Sequence, residues 1–235
     1  DLEATARSVE EHLATATAEL ELTPGEIRAG RLAVDVHVRN LAGHKLPTAY
    51  PSRRAWLHVT ITDAQGRVVL ESGAFRPDGY IMGNDNDRDA AHYEPHHTEI
   101  TSPDQVQIYE DIMVDYAGEV TTGLMYGARY IKDNRLLPDG FEKATANADV
   151  AVHGHAAEDQ DFAGGSDRVR YAADVAGYQA PFQLTAELWY QPIGFRWAMN
   201  LNEYEAREPQ RFVAYFQGMS SGTGALLARA EGVVQ

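Results

Sequence analysis

The stretch Arg31-Leu32-Ala33-Val34-Asp35-Val36-His37-Val38-Arg39-Asn40 decides the fold class. Leu32, Val34, Val36 and Val38 alternate with Ala33, Asp35, His37 and Arg39, the period of a half-buried strand. Residues 56–62 and 67–71 read as two more strands. The turn residues Asp63-Ala64-Gln65-Gly66 between them make a hairpin. Further strands are expected at 106–114, 148–156, 168–175 and 182–191. Long connections separate them, without regularly spaced helices, which points to a mostly β chain. The expected fold is an antiparallel β-sandwich or jelly-roll-like domain and not a doubly wound sheet.

Helical periodicity frames this β region. Leu2, Ala6, Val9, Leu13, Ala16 and Leu20 make one narrow apolar stripe, so residues 1–20 are expected to be helical and to stop before Pro24-Gly25. Shorter helices are expected at 122–132 and 209–219. A Gly/Ser-rich stretch at 220–224 leads to an apolar tail, 225–234, that suits an added strand here or on a neighbour. The expected organisation is an N-terminal helix within 1–24, serving as a docking segment, and one β-sandwich domain over 25–235.

Composition excludes several functions. The chain has 235 residues, with 20 Lys+Arg against 35 Asp+Glu, a formal charge of −15. That charge and the lack of a basic run argue against nucleic acid. No run approaches the ~20 apolar residues of a membrane span. There are no cysteines, so disulfides, thiol catalysis, Cys-type zinc sites and CxxCH haem attachment are excluded within this chain. There is no GxSxG elbow, phosphate-cradling Gly loop or HExxH.

Two acidic loops offer oxygen ligands to a hard cation such as calcium. One is Asn84-Asp85-Asn86-Asp87-Arg88-Asp89, which starts like an EF-hand loop but has His96 where the twelfth-position Glu would stand. The other runs from Glu158 to Asp167. Asp159, Asp161 and Asp167 can converge there if Gly164-Gly165 folds the backbone back. Asn and Asp are also ordinary turn residues, so solvated turns are the competing reading. Glu110 sits among Val106, Ile108, Ile112 and Val114 and needs a buried partner, for which Arg53, Arg54, Arg135 or Arg196 is expected in preference to a metal. His153 and His155 share one face of an expected strand but lack a third metal ligand. His92, His96 and His97 read as a structural cluster. His12, on the N-terminal helix, is either a surface residue or placed to meet a haem.

Several strings occur together and in order. They are Asn40-Leu41-Ala42-Gly43-His44-Lys45-Leu46-Pro47-Thr48, Tyr50-Pro51-Ser52-Arg53-Arg54-Ala55-Trp56, Gly83-Asn84-Asp85-Asn86-Asp87, Tyr93-Glu94-Pro95-His96-His97, Gln105-Val106-Gln107-Ile108-Tyr109-Glu110, Tyr130-Ile131-Lys132-Asp133-Asn134-Arg135 and Asp161-Phe162-Ala163-Gly164-Gly165-Ser166-Asp167. This set resembles the haem-free C-terminal β-rich domain of a family of exported bacterial multihaem c-type cytochromes, over roughly residues 30 to 217. The resemblance implies a periplasmic or extracellular protein that works beside electron-transfer haems. His12 and His44 are then the candidates for lying near a haem. With no CxxCH, covalent haem has to come from a partner chain or another segment. Ala49 stands where the resemblance places a Gly after GHKLPT.

The function expected is a non-catalytic structural or interaction module, stabilised by calcium, that docks to a cytochrome or self-assembles into an oligomer or filament. The docking surfaces expected are the helix stripe and the C-terminal tail. One rival is a metal-dependent enzyme built on the histidines with Glu110 as acid/base. Another is a carbohydrate-binding sandwich using Trp56, Trp189 and Trp197, which requires exposed, coplanar rings.

Overall fold

The computed structural model describes residues 2–219 and 222–235, so Ser220 and Ser221 of the Gly/Ser-rich stretch lie outside the described residues. Helix α1 (Leu2–Ala16) precedes β1 (Ala18–Arg28), β2 (Arg31–Asn40), β3 (Arg54–Thr62) and β4 (Val68–Ser72). A single helical turn α2 (Asp85–Arg88) and strands β5 (Glu99–Ile100), β6 (Ile108–Tyr109), β7 (Asp111–Val114), β8 (Val120–Thr121) and β9 (Arg129–Asp133) form the middle of the chain. Then come β10 (Ser166–Asp174), β11 (Phe182–Gln191), α3 (Phe195–Met199), α4 (Arg207–Met219) and β12 (Ala225–Val234).

Two sheets face each other, in the strand orders β1-β2-β10-β5 and β12-β11-β3-β4, with β6 added beside β3. All pairings are antiparallel except the short β10–β5 ladder. A small third sheet, β8-β7-β9, is appended. Leu32, Val34, Val36 and Val38 of β2 are buried, as their alternation requires. They pack in one core with Leu57, Val59 and Ile61 of β3, Val169 and Tyr171 of β10, and Leu184, Ala186 and Leu188 of β11. A second, smaller core of Trp56, Ile81, Val106 and Ile108 lies on the opposite face of β3. The fold is therefore the mostly β sandwich that the alternation demands. The expected hairpin is also present: Asp63 accepts backbone N–H groups from Gln65 and Arg67, and Gly66 N–H donates to its carbonyl.

Four expected elements come out differently. The N-terminal helix stops at Ala16, not beyond Leu20. Leu20 satisfies both periods: it continues the helix stripe, but with Leu22 it also alternates against Glu19 and Glu21. The strand wins because pairing with β2 supplies hydrogen-bond partners along most of residues 18–28. Pro24 is tolerated there because β1 is an edge strand. The helix expected at 122–132 is instead the connection that crosses from β8 over to β9 on the other side of β7, followed by the first residues of β9. Its helical periodicity survives as one turn, in which Tyr126 and Gly127 N–H donate to the Gly123 carbonyl. The strand expected at 148–156 is two 3-10 turns, Ala148–Val150 and His155–Ala157, broken by Gly154 at φ +77°. His153 makes an isolated bridge to Asp133 while the exposed His155 starts the second turn, so they do not share a strand face. The strand expected over 106–114 is two strands in two different sheets, β6 and β7, and the chain changes sheets at Glu110.

The apolar tail pairs within this chain, as β12 against β11. Helix α1 lies against β12 and has no buried residue. Leu13 packs on the main core, while Leu2 and Val9 stay exposed at 89% and 53%. No described helix is long and apolar enough to cross a membrane.

Candidate functional site

The switch of sheets at Glu110 creates the site. Glu110 is buried there, so its carboxylate needs a partner within the protein. Its partner is Lys132 at 2.9 Å, not one of the four arginines expected. Lys132 also donates to the Ile108 carbonyl, and Asn134 accepts the Glu110 N–H through Oδ1. The partner was hidden because Lys132 belongs to the stretch that reads as a helix, whereas on β9 it stands opposite Ile112 of β7.

A buried polar network extends from this pair. Gln107 Oε1 accepts the His97 N–H, which turns its Nε2 toward His96 Nδ1 (2.8 Å) and Asp167 Oδ2 (3.2 Å). Asn134 is oriented in the same way by Glu110 N–H, so its Nδ2 faces His96 Nδ1 at 3.0 Å and the Ile108 carbonyl at 2.8 Å. Two amide donors thus fix His96 Nδ1 as an acceptor, and the ring proton sits on Nε2, which meets Asp159 Oδ2 at 3.0 Å. Tyr109 donates to Asp167 Oδ2 at 2.7 Å. Asp167 Oδ1 is buried with no hydrogen-bond partner.

His96, Asp159 and Asp167 together form a buried His/Asp/Asp cluster. Asp159 and Asp167 are brought together as the Gly164-Gly165 argument requires: Gly165 has φ +88°, and a side chain on Gly164 would sit 2.7 Å from the Phe141 carbonyl oxygen. Asp161 turns away to Arg168. Burial pushes the Asp159 carboxyl up, but the His96 N–H and the Asp161 N–H outweigh it and hold the group low. Burial raises Asp167. The His96 orientation disfavours a transition ion on Nε2: the displaced proton would move to a nitrogen already faced by two N–H donors. An oxygen-seeking ion on the carboxylates meets no such conflict.

The Asn84–Asp89 loop is engaged otherwise. Asp87 is buried against Arg54 at 2.7 Å and accepts the Ile81 N–H. Asn84 Oδ1 caps α2 through the Asn86 N–H, and Asn86 donates to the His92 carbonyl. Asp89 pairs with the exposed His92. Asp85 is half-buried, and burial together with the nearby Glu94 carboxylate raises it. The carboxylates of this loop do not converge on a common point with those of the second loop.

A second buried charge group adjoins Glu110. Asp133 accepts from Lys45 and Arg135, both at 2.7 Å. Burial pushes Asp133 up, but these two cations win and hold it low. Asp111 is within 3.3 Å of Arg135, yet neither of its oxygens has a well-directed hydrogen bond. Burial, reinforced by Asp133 and Glu110, pushes it up to about 7.

His12 and His44, separated by 32 positions, border the same groove of about 470 Å³, with Leu13, Pro47, Arg53 and Tyr190. Both histidines are exposed. The tryptophans are not an exposed platform: Trp56 is fully buried, Trp189 stacks on it at 6.3 Å, and Trp197 meets Tyr50 edge-on. Trp56, Trp189 and Trp197 therefore do not form together the exposed, coplanar platform that the carbohydrate reading requires.

No protein-family model matches the sequence, and no curated protein matches it. Among solved structures, a penta-haem cytochrome c552 from Thermochromatium tepidum is similar, with a TM-score of 0.53 and 16% identity. The match covers 96% of this chain and 41% of that one, so the chain spans less than half the length of the cytochrome it resembles. At that identity the likeness is one of fold.

Proposed function

We propose that this chain is a haem-free structural module that docks against a c-type haem domain carried by a partner or by another segment. Its work is architectural: to cover and position electron-transfer haems. The observation that carries this reading is that nearly the whole chain follows the fold of part of a penta-haem cytochrome while having no cysteine to attach a haem. The groove bordered by His12 and His44 is the face assigned to the haem side, because its imidazoles are exposed and have no role in the core. The reading also places the protein outside the cytoplasm, where c-type haem is attached.

The test is an absorption spectrum, with haem staining of the separated chains, on protein isolated from its native source. The expected result is a c-type haem band in fixed ratio to this chain. Haem-free native material would overturn the reading.

The calcium expectation narrows to Asp159 and Asp167, favoured by the unpartnered Asp167 oxygen in the buried cluster. Elemental analysis should find about one calcium per chain, and EGTA should lower the melting temperature by several degrees. An unchanged melt after verified metal removal counts against it.

A further inference from the structure

A second groove, lined by none of the residues of the buried network, shares the loop at 48–53 with the His12/His44 groove. It has a volume of about 700 Å³ and is formed by the β8–β9 connection, α3 with the 3-10 turn that follows it, α4 and the loop around Tyr50. Five aromatic rings line it: Tyr50, Tyr126, Trp197, Tyr204 and Phe212. They are not core residues that happen to show. Tyr50, Tyr126 and Tyr204 are 49%, 67% and 52% exposed, and Met125 beside them is 92% exposed. Such a concentration of accessible apolar surface marks a recognition site.

The walls are tied together. Asn200 of the α3 side donates to Thr122 Oγ1 of the β8–β9 connection at 3.0 Å, and the Tyr50 and Trp197 rings meet at 5.7 Å with an interplanar angle of 61°. Among the described lining residues, Glu203 is the one charged group and no basic side chain is present. Ring faces carry partial negative charge and attract a cation, most strongly one that is cheap to desolvate. A carboxylate adds to that attraction, as does the chain's charge of −15. An anionic ligand would find no donor of opposite charge. The volume is that of a small-molecule site and not of an extended polypeptide interface.

We propose that this groove binds a small organic cation of the quaternary-ammonium class, its methyl groups against the aromatic rings and its charge toward Glu203. The site is independent of the haem-docking reading, and neither stands or falls with the other.

Choline and 3,3-dimethylbutan-1-ol are the probes, since they share a shape and differ in charge. Each is titrated into the full chain by calorimetry, with Trp fluorescence followed in parallel. Choline should bind at least tenfold more tightly than the neutral alcohol. Glu203→Gln should weaken choline at least threefold and leave the alcohol unchanged. Tyr126→Leu keeps the apolar contact but removes the ring face, and it too should weaken choline selectively. Both positions are exposed, and melting curves confirm that the variants fold. Equal binding of the two probes would overturn the proposal by making the groove merely apolar. So would no binding of choline at millimolar concentration, or selective choline binding that survives both substitutions.

Discussion

The sandwich core and the polar seam at Glu110 are equally buried but are held together by opposite means. In the core, apolar side chains of both sheets and of the loops beside them pack together and exclude water. In the seam, three carboxylates (Glu110, Asp111, Asp133) and three cations (Lys45, Lys132, Arg135) lie together, linked through Asn134 to His96 and Gln107. The core tolerates loss of contact by degrees. The seam does not, because removing one partner strands another charge away from water. The contrast teaches that the sheets specify the architecture, while the seam fixes how the irregular middle of the chain is laid over it.

The largest break in this contrast comes from Glu110→Ala. It leaves the Lys132 ammonium buried without a counter-charge, and a loss of about 3–5 kcal/mol is expected in urea unfolding. Replacing both partners, with Glu110→Leu and Lys132→Met, should recover much of that loss. If the double variant is as unstable as the sum of its parts, the pair is not the unit described here.

Leu57→Ala in the sandwich should cost about 2–5 kcal/mol. Its cost should not vary between pH 5 and pH 8, since burial raises the two tyrosines of that core, Tyr109 and Tyr171, still further above this range.

Asp111 sharpens the comparison through pH. Its folded value is pushed up to about 7, whereas an unfolded Asp titrates near 3.9. Between those values the folded chain keeps a proton that the unfolded chain has released. Stability therefore falls as pH rises from about 4 to about 7, and the loss is complete above that window. Asp111→Asn should remove this slope and raise stability by about 1–3 kcal/mol at pH 8. Arg135 keeps Asp133 as its partner in that variant. Melts across pH 4 to 8 check both statements.

The smallest effect concerns Ala49, which has φ +65°, a left-handed conformation that favours glycine. This gives a physical reason for the Gly that the sequence resemblance places there. Ala49→Gly should stabilise by about 0.5–1 kcal/mol, read as a small rise in melting temperature.

The same contrast governs what the sequence revealed. The strands of the sandwich were legible because period-two burial is written locally, as in Leu32 to Val38. The hairpin was legible from Asp63 to Gly66. The seam was only partly so. Glu110 announced itself as a charge among apolar neighbours, but Lys132 lies 22 residues away in a stretch whose periodicity suggested a helix. Asp159 and Asp167 were placed together by two glycines, yet their third member, His96, comes from 63 residues away along the chain. Nothing local links those positions. Gln107 and Asn134 carried the one available hint, as amides amid apolar or charged strings, and their role appears only when three loops meet. The groove with five rings was equally unannounced, since its walls come from residues 50 to 212.

Strand β12 closes the outer side of its sheet and also provides the seat of α1. Of the strands in that sheet it is the last to leave the ribosome. Until then β11 presents an open edge, and α1 lacks most of its seat. Assembly of the sandwich is consequently not finished in the order of synthesis: α1, made before β12, finds its seat only after it.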